Sequence, residues 1–230
     1  MTQTEQQRRA YLDALGIDVW VPRGEAEEPA VATEVGSDVK KTLAAGLDWD
    51  ELRESVAACV RCELHQGRTQ TVFGVGDRTA NWMVVGEAPG AEEDRRGEPF
   101  VGRAGKLLDE MLRAIGQRRD SVFIANILKC RPPNNRDPKP EEADACRSYL
   151  DRQIELVGPR IILAVGRIAA QQLLGSDEPV GRLRGRVHRL SDIPVVVTYH
   201  PAYLLRSPAQ KRKAWDDLCL ARRVVSGGAA

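Results

Sequence analysis

The sequence has few histidines and aromatic residues, and it has no long apolar run. Only three histidines and 5% aromatic residues occur among the 230 residues. No apolar stretch approaches the ~18–20 residues that a membrane-spanning helix needs. The first residues also lack the apolar region of a secretory signal. We therefore expect a cytoplasmic protein that does not bind a membrane.

Several motifs of common enzyme classes are absent as well. The sequence contains no H-E-x-x-H, which argues against a zinc protease, and no G-x-S-x-G, which argues against an α/β-hydrolase. The glycines between residues 97 and 106 lack the Gly-Lys-Ser/Thr of a phosphate-binding Walker loop. The chemistry therefore has to be sought in other patterns.

Charge is balanced over the whole chain but unevenly distributed along it. The net charge is +1, yet residues 1–51 carry a net −6 and residues 52–230 a net +7. Residues 181–213 contain eight basic side chains and a single acid. The basic residues are Arg182, Arg184, Arg186, Arg189, Arg206, Lys211, Arg212 and Lys213. Such a surface is typical of phosphate contacts, although an ordinary solvated basic face would give the same pattern.

The chain divides into an N-terminal segment and one larger domain. Residues 4–16 have the spacing of a short helix, and residues 22–48 have the composition of a mobile acidic linker. Residues 49–230 then form a domain long enough for a sizeable core.

Short apolar runs alternate with helical patterns inside this domain. The predicted strands are residues 81–86, 122–127, 161–165 and 194–199, and the predicted helices are residues 103–116, 140–157, 167–174 and about 208–224. Near-continuous apolar strands are typical of a parallel sheet covered on both faces. The sequence therefore predicts an α/β fold, a three-layer sandwich with a central, mainly parallel four-stranded sheet flanked by helices.

Polar motifs follow three of the predicted strands. Gly86-Glu87 follows the first strand, Asn126 lies at the end of the second, and His200 follows the fourth. Ligands of parallel sheets bind beyond the carboxyl ends of the strands. We therefore expect these residues to meet in one site.

Five cysteines in a chain expected to be cytoplasmic indicate metal ligands or buried thiols, not disulfides. Cys59 and Cys62 form a C-x2-C pair, and Cys130 and Cys146 follow separately. Four thiolates can hold a zinc ion or a [4Fe–4S] cluster, and four unrelated buried thiols would give the same spacing. Cys219, between two leucines of the last predicted helix, fits the core better than a metal site.

Three motifs together resemble those of the type 4 (iron–sulfur) uracil-DNA glycosylases. They are residues 86–94 (GEAPGAEED) with 97–102 (GEPFVG), residues 126–133 (NILKCRPP) and residues 200–206 (HPAYLLR). The resemblance extends over about residues 50–225. It implies a DNA-repair enzyme that flips uracil out of DNA and hydrolyses its N-glycosidic bond, which leaves an abasic site.

The resemblance also implies roles for individual side chains. Asn126 would read the edge of uracil, because an amide can donate to O4 and accept from N3–H, and Phe100 would stack on the base. His200 would stabilise the charge that develops on O2, while Glu87 and Glu93 are the candidates to orient water. The loop residues expected to contact the base or a phosphate are Gly86, Ala88 and Gly90.

Contacts with DNA and a cofactor are implied in the same way. The expected DNA-contacting residues are two wedge leucines and three phosphate-binding arginines: Leu204, Leu205, Arg206, Arg184 and Arg186. The expected ligands of a [4Fe–4S] cluster are Cys59, Cys62, Cys130 and Cys146. We expect a monomer whose acidic N-terminal segment binds a repair or replication partner, shields the basic surface or is a disordered tail.

Two features distinguish the chain from related proteins that cross-link covalently to uracil-containing DNA. Those proteins carry Gln at the position of Ala88 and a basic, histidine-containing loop that residues 131–145 lack. We therefore expect turnover by a monofunctional glycosylase without lyase activity. The alternatives are a non-catalytic or covalently trapping protein of the same fold that binds uracil-containing or single-stranded DNA, and a zinc-stapled nucleotide-binding protein.

Overall fold

The computed structural model describes residues 44–227, which form a sheet with helices packed against it. The strands are β1 (Val75–Gly76), β2 (Trp82–Gly86), β3 (Phe123–Asn126), β4 (Ile161–Val165), β5 (Val187–Leu190) and β6 (Ile193–Thr198). The helices are α1 (Trp49–Ala57), α2 (Leu64–Gly67), α3 (Ala91–Arg96), α4 (Arg103–Ala114), α5 (Pro140–Val157), α6 (Arg167–Leu174), α7 (Val180–Leu183), α8 (Pro201–Arg206) and α9 (Lys211–Val225).

The sheet has six strands in the order β1-β3-β2-β4-β6-β5. The four central strands are parallel, whereas β1 pairs antiparallel with β3 and β5 pairs antiparallel with β6. The predicted count of four strands is therefore wrong. The two additional strands lie at the edges, where they need no continuous apolar run: β1 has two residues, and β5 is only partly buried.

Side chains of each central strand alternate between two cores, as the two-residue period of a strand requires. In β2, Met83 and Val85 pack with α2, α5, α6 and α7, while Trp82 and Val84 pack with α4, α8 and α9. The sheet is thus the middle layer of three, and the predicted three-layer α/β arrangement is confirmed.

The longest helix, α5, has the predicted bounds, because residues that favour the start and the end of a helix occupy its two termini. Pro140 occupies its first turn, and the Glu142 carboxylate accepts a hydrogen bond from the Lys139 amide at 2.9 Å. Gly158 ends the helix in a left-handed conformation, with φ of 55°. No helix in residues 44–227 is long and apolar enough to cross a membrane.

The domain begins earlier than predicted, because residues 44–48 are packed against it. Ala44 is buried, the Leu47 carbonyl accepts a hydrogen bond from Arg152 at 2.7 Å, and Asp48 caps α1 by accepting from two backbone amides. The linker prediction is wrong for these five residues. The helix predicted over 4–16 and the rest of the predicted linker lie outside the described residues.

A buried ion pair ties the turn after α7 to α9. Arg184 donates to both carboxylate oxygens of Asp217, at 3.0 and 2.8 Å, and Gly185 donates to the same carboxylate at 3.1 Å. The Asp217 side chain is 0% exposed and that of Arg184 16%. A charge this deeply buried depends on its partner.

We predict that Asp217→Ala lowers the free energy of unfolding by about 3 kcal/mol, because it leaves a largely buried guanidinium unpaired. Urea denaturation measures the change. The neighbouring Asp216 is exposed, and Asp216→Ala should shift stability by no more than about 0.5 kcal/mol. Similar small losses in both variants would contradict the prediction.

Candidate active site

A cleft of about 770 Å³ opens at the carboxyl ends of the four parallel strands. Its walls include Glu87 after β2, Asn126 at the end of β3, Arg167 after β4 and His200 after β6. The expectation that the polar motifs meet at this edge of the sheet is therefore confirmed.

Asn126 lines this cleft and carries a buried acceptor. Its side chain is 2% exposed, and its Oδ1 has no hydrogen-bond partner among the described residues. The pairing of β2 with β3 places Gly86 opposite Asn126, where an added Cβ would lie 2.5 Å from Oδ1. A buried polar atom without a partner costs about 1–3 kcal/mol. A ligand that donates a hydrogen bond to Oδ1 would recover that cost.

The Phe100 ring forms a wall of the same cleft. The ring packs against Gly86, and it is stacked on the His200 imidazole with centroids 5.7 Å apart. Phe100 adopts a left-handed backbone conformation (φ 54°), which is strained for a residue with a large side chain. Arg119 holds this loop by donating to the Phe100 carbonyl at 3.1 Å and to the Pro99 carbonyl.

Glu93 joins the two loops of the first motif. One carboxylate oxygen accepts from the amides of Val101 and Gly102 at 2.9 and 3.1 Å, and the other accepts from Gly90 at 3.1 Å. This geometry gives Glu93 a part in holding the loops together. The predicted role of Glu93 in orienting water gains no support from it.

Glu87 is the other candidate carboxylate, and it lies in the cleft wall. Burial and, to a smaller extent, the Asp137 carboxylate raise the pKa of its carboxyl group to about 7, against the opposing effect of the Arg167 guanidinium. A carboxyl group in this range exchanges a proton near neutral pH, as general bases often do.

His200 is held as a neutral ring with a defined tautomer. Its Nδ1 accepts a hydrogen bond from the Ala202 amide at 3.1 Å, at the start of α8. The proton of the neutral ring must then lie on Nε2. Burial and, to a smaller extent, the Arg206 guanidinium lower the pKa of His200 to about 4, against the opposing effect of Glu93. At neutral pH the imidazole is therefore an uncharged hydrogen-bond donor.

Four cysteines line a second, smaller cavity. They are Cys59, Cys62, Cys130 and Cys146. Arg61, Arg68 and Lys129 line the same cavity, and an Arg68 nitrogen lies 3.1 Å from the Cys130 sulfur. Burial raises the pKa of the Cys146 thiol to about 12. Among the described residues, no group of three or more His, Cys, Asp and Glu side chains is placed to hold a metal ion.

Comparison with known proteins decides the family. The model of the Uracil DNA glycosylase superfamily matches residues 73–219. The type-4 uracil-DNA glycosylase of Thermotoga maritima is 47% identical over 176 residues, which are 75% of this chain and 92% of that protein. The chain belongs to the uracil-DNA glycosylase superfamily.

Two further members of the superfamily support the same assignment. The type-4 uracil-DNA glycosylase of Archaeoglobus fulgidus is 44% identical over 176 residues, 73% of this chain and 88% of that protein. That of Pyrobaculum aerophilum is 44% identical over 182 residues, 76% of this chain and 93% of that protein. The resemblance to the type 4 glycosylases seen in the motifs is therefore confirmed.

Some of the residues predicted to contact DNA are exposed, and others are buried or partly buried inside the domain. Leu204 is 1% exposed and packs in the core, whereas Leu205 is 37% exposed. Adjacent residues of a helix point about 100° apart, so Leu204 faces the core, and its predicted contact with DNA gains no support from this position. Arg206 is exposed in the cleft wall, and Arg186 is exposed and pairs with Glu178. Arg184 is bonded to Asp217 inside the domain, so its predicted phosphate contact has no support.

Two arginines, Arg167 in the cleft wall and Arg119 beside the Phe100 loop, were not predicted from the sequence as parts of the site. Arg167 follows β4, lines the cleft and pairs with Asp137. Its position two residues after the predicted strand 161–165 is a signal that could have identified it, because polar motifs follow the other three strands. Arg119 holds the Phe100 loop from 19 residues away, and no local pattern indicates it.

The Phe100 loop rests on α4 at Gly105, where an added Cβ would lie 1.7 Å from the Phe100 carbonyl oxygen. We predict that Gly105→Ala lowers the free energy of unfolding by about 1–3 kcal/mol, because the loop or the helix must shift. Gly67→Ala, in α2 with open space around the new methyl group, should instead raise it by about 0.4–1 kcal/mol. Urea denaturation compares them, and a gain in both variants would contradict the tight contact.

Proposed function

We propose that the chain removes uracil from DNA as a monofunctional glycosylase of base excision repair. The observation that carries the proposal is the unpartnered Oδ1 of Asn126, buried in a cleft with Phe100, Glu87 and His200. The names of the type-4 relatives support the same activity. The reaction ends with hydrolysis and includes no lyase step, and the chain acts as a cytoplasmic monomer.

Asn126 would select uracil through the base edge that is paired in the duplex. The nucleotide must leave the stack to reach the cleft. Uracil N3–H would then donate to the unpartnered Oδ1, while the amide nitrogen donates to O4. Cytosine has no N3–H and carries an amine at position 4, so both hydrogen bonds would be lost. The Phe100 ring would stack on the base.

His200 would stabilise the leaving base. Breaking the bond between sugar and base places positive charge on the sugar, as in glycoside hydrolysis, and negative charge on uracil. The Nε2–H of the neutral imidazole can donate to O2 as that charge develops. The hydrogen bond from Ala202 fixes the ring for this purpose.

Glu87 would orient the water that attacks the sugar. Its carboxylate lies in the cleft, and its raised pKa allows it to accept a proton near neutral pH. Glu93 would instead keep the Gly90 and Phe100 loops in register through its three backbone hydrogen bonds.

The surroundings of the cleft supply candidates for DNA contacts. Leu205 is the exposed leucine of α8 and would fill the space left by the flipped base. Arg206 and Arg186 are exposed and would contact phosphates.

We also propose that the four cysteines hold a [4Fe–4S] cluster. Four free thiols from three separate segments line one cavity, and three cationic side chains there would offset the charge of the thiolates. Four cysteine thiolates are the usual ligand set of such a cluster, and Cys59, Cys62, Cys130 and Cys146 would supply it here. The bound cluster would supply cross-links between these segments, and the chemistry at the base would remain with the cleft residues.

We predict multiple turnovers on an oligonucleotide that contains one uracil, with abasic sites revealed by alkali. Asn126→Ala and His200→Ala should each reduce the excision rate by about 10²–10³-fold, because each removes a hydrogen bond to the reacting base. Asn81→Ala, at an exposed position before β2, should keep the parental rate. At most one excision per protein molecule would contradict the proposal and favour a binding or covalently trapping protein.

The pH profile tests Glu87. Since its carboxyl group has a pKa of about 7, kcat/KM should fall about tenfold per pH unit below that value and level off above it. Glu87→Gln should be slow and show no such limb, because His200, with a pKa of about 4, stays neutral over this range. Glu92→Gln, an exposed neighbour in α3, should keep the parental profile. A limb near pH 7 in Glu87→Gln would rule out this role for Glu87.

A further inference from the structure

Lys129 carries a buried charge that the proposed reaction does not use. Its side chain is 1% exposed, and its ammonium donates to the Asn126 carbonyl oxygen at 2.8 Å and to Gln153 Oε1 at 2.7 Å. Gln153, fully buried on α5, in turn donates to the Phe73 carbonyl at 2.8 Å. A chain of hydrogen bonds therefore connects α5 with the end of β3.

A buried ammonium is costly compared with an apolar side chain of the same length. Packing alone would be served as well by methionine, which fills the same space without a charge. Besides its charge beside the cysteines, the ammonium adds a fixed donor to two buried oxygens, and one of them belongs to the peptide group of Asn126. The bond thus acts on a residue that lines the cleft and whose buried side-chain Oδ1 has no partner among the described residues.

Backbone hydrogen bonds fix the main chain between Asn126 and Lys129. Ile127 and Leu128 donate to the carbonyls of Gly86 and Glu87 at 2.9 and 3.0 Å, and Val72 donates to the Lys129 carbonyl at 2.8 Å. Lys129 also lines the cavity of the four cysteines. One side chain therefore borders the cysteine cavity and holds the main chain of the cleft asparagine.

We propose that Lys129 is a positioning residue for uracil recognition. Its ammonium fixes the peptide group of Asn126, so that the side-chain amide meets N3–H and O4 of the flipped base in one orientation. Without this bond the peptide is held, within the described residues, only by the Ile127 amide, so the Asn126 main chain can shift and the side-chain amide loses its alignment with the base. The inference rests on the proposed role of Asn126 as the residue that reads uracil.

A double-mutant cycle separates positioning from a general effect on the fold. Lys129→Met is made in the parental chain and in Asn126→Ala, and single-turnover excision of uracil is measured in all four proteins. We expect Lys129→Met to slow excision roughly 10- to 100-fold in the parental chain. In Asn126→Ala the same change should cost no more than about threefold, because the amide it positions is already gone. An equal loss in both backgrounds would overturn the inference.

Gln153→Met is the matched control. It disrupts the same buried network and leaves the bond from Lys129 to Asn126, so it should reduce stability in urea while keeping excision within about threefold. A loss of excision as large as that of Lys129→Met would also overturn the inference. Iron content and absorbance near ~400 nm, typical of iron–sulfur proteins, are compared in all variants, so that loss of the cluster is not mistaken for loss of positioning.

Lys129→Gln tests in a second way whether a hydrogen-bond donor at position 129 positions Asn126. Its shorter side chain keeps an N–H donor, so it should restore excision at least severalfold over Lys129→Met, and it replaces Met in the cycle if that variant fails to fold. If Asn126→Ala excises uracil normally, the proposed reading of uracil and this inference both fail. If Asn126→Ala is slow and Lys129→Met is not, only the positioning role fails.

Discussion

The parallel pairing of β2 with β3 ends where Gly86 lies opposite Asn126. No larger residue fits at position 86, because an added Cβ would be 2.5 Å from both the Asn126 Oδ1 and the Phe100 ring. The glycine leaves room for the buried Oδ1 of Asn126 beside the Phe100 ring, and both residues line the cleft. A donor such as N3–H of uracil that reaches this oxygen would satisfy its hydrogen-bonding capacity.

Several hydrogen bonds around the cleft fix the loops and side chains of the site. Glu93 accepts from three backbone amides, Arg119 supports the strained Phe100 loop, and the Ala202 amide fixes the tautomer of His200. Such bonds are made before the substrate binds, so little reorganisation remains during the reaction. The Lys129 ammonium extends the same arrangement to the main chain of Asn126.

Local patterns were sufficient for the central strands, the long helices and the meeting of the motifs at one edge of the sheet. They failed where the outcome depends on distant residues. Arg184 belongs to a basic run, but it pairs with Asp217, 33 residues further along the chain. Leu204 and Leu205 are alike in sequence, and only the packing of the six-residue helix α8 decides which is buried. The edge strands β1 and β5 form because β3 and β6 offer them partners, and no apolar run marks them.

A crystal structure of the protein with an oligonucleotide that contains 2′-fluoro-2′-deoxyuridine would test the central claim most directly. The fluorine destabilises positive charge on the sugar, so the bond to uracil survives while the base is bound. The account predicts that the base is flipped into the cleft with its N3 about 3 Å from the Asn126 Oδ1. A base bound elsewhere, or an Oδ1 that remains unpaired beside it, would contradict the account.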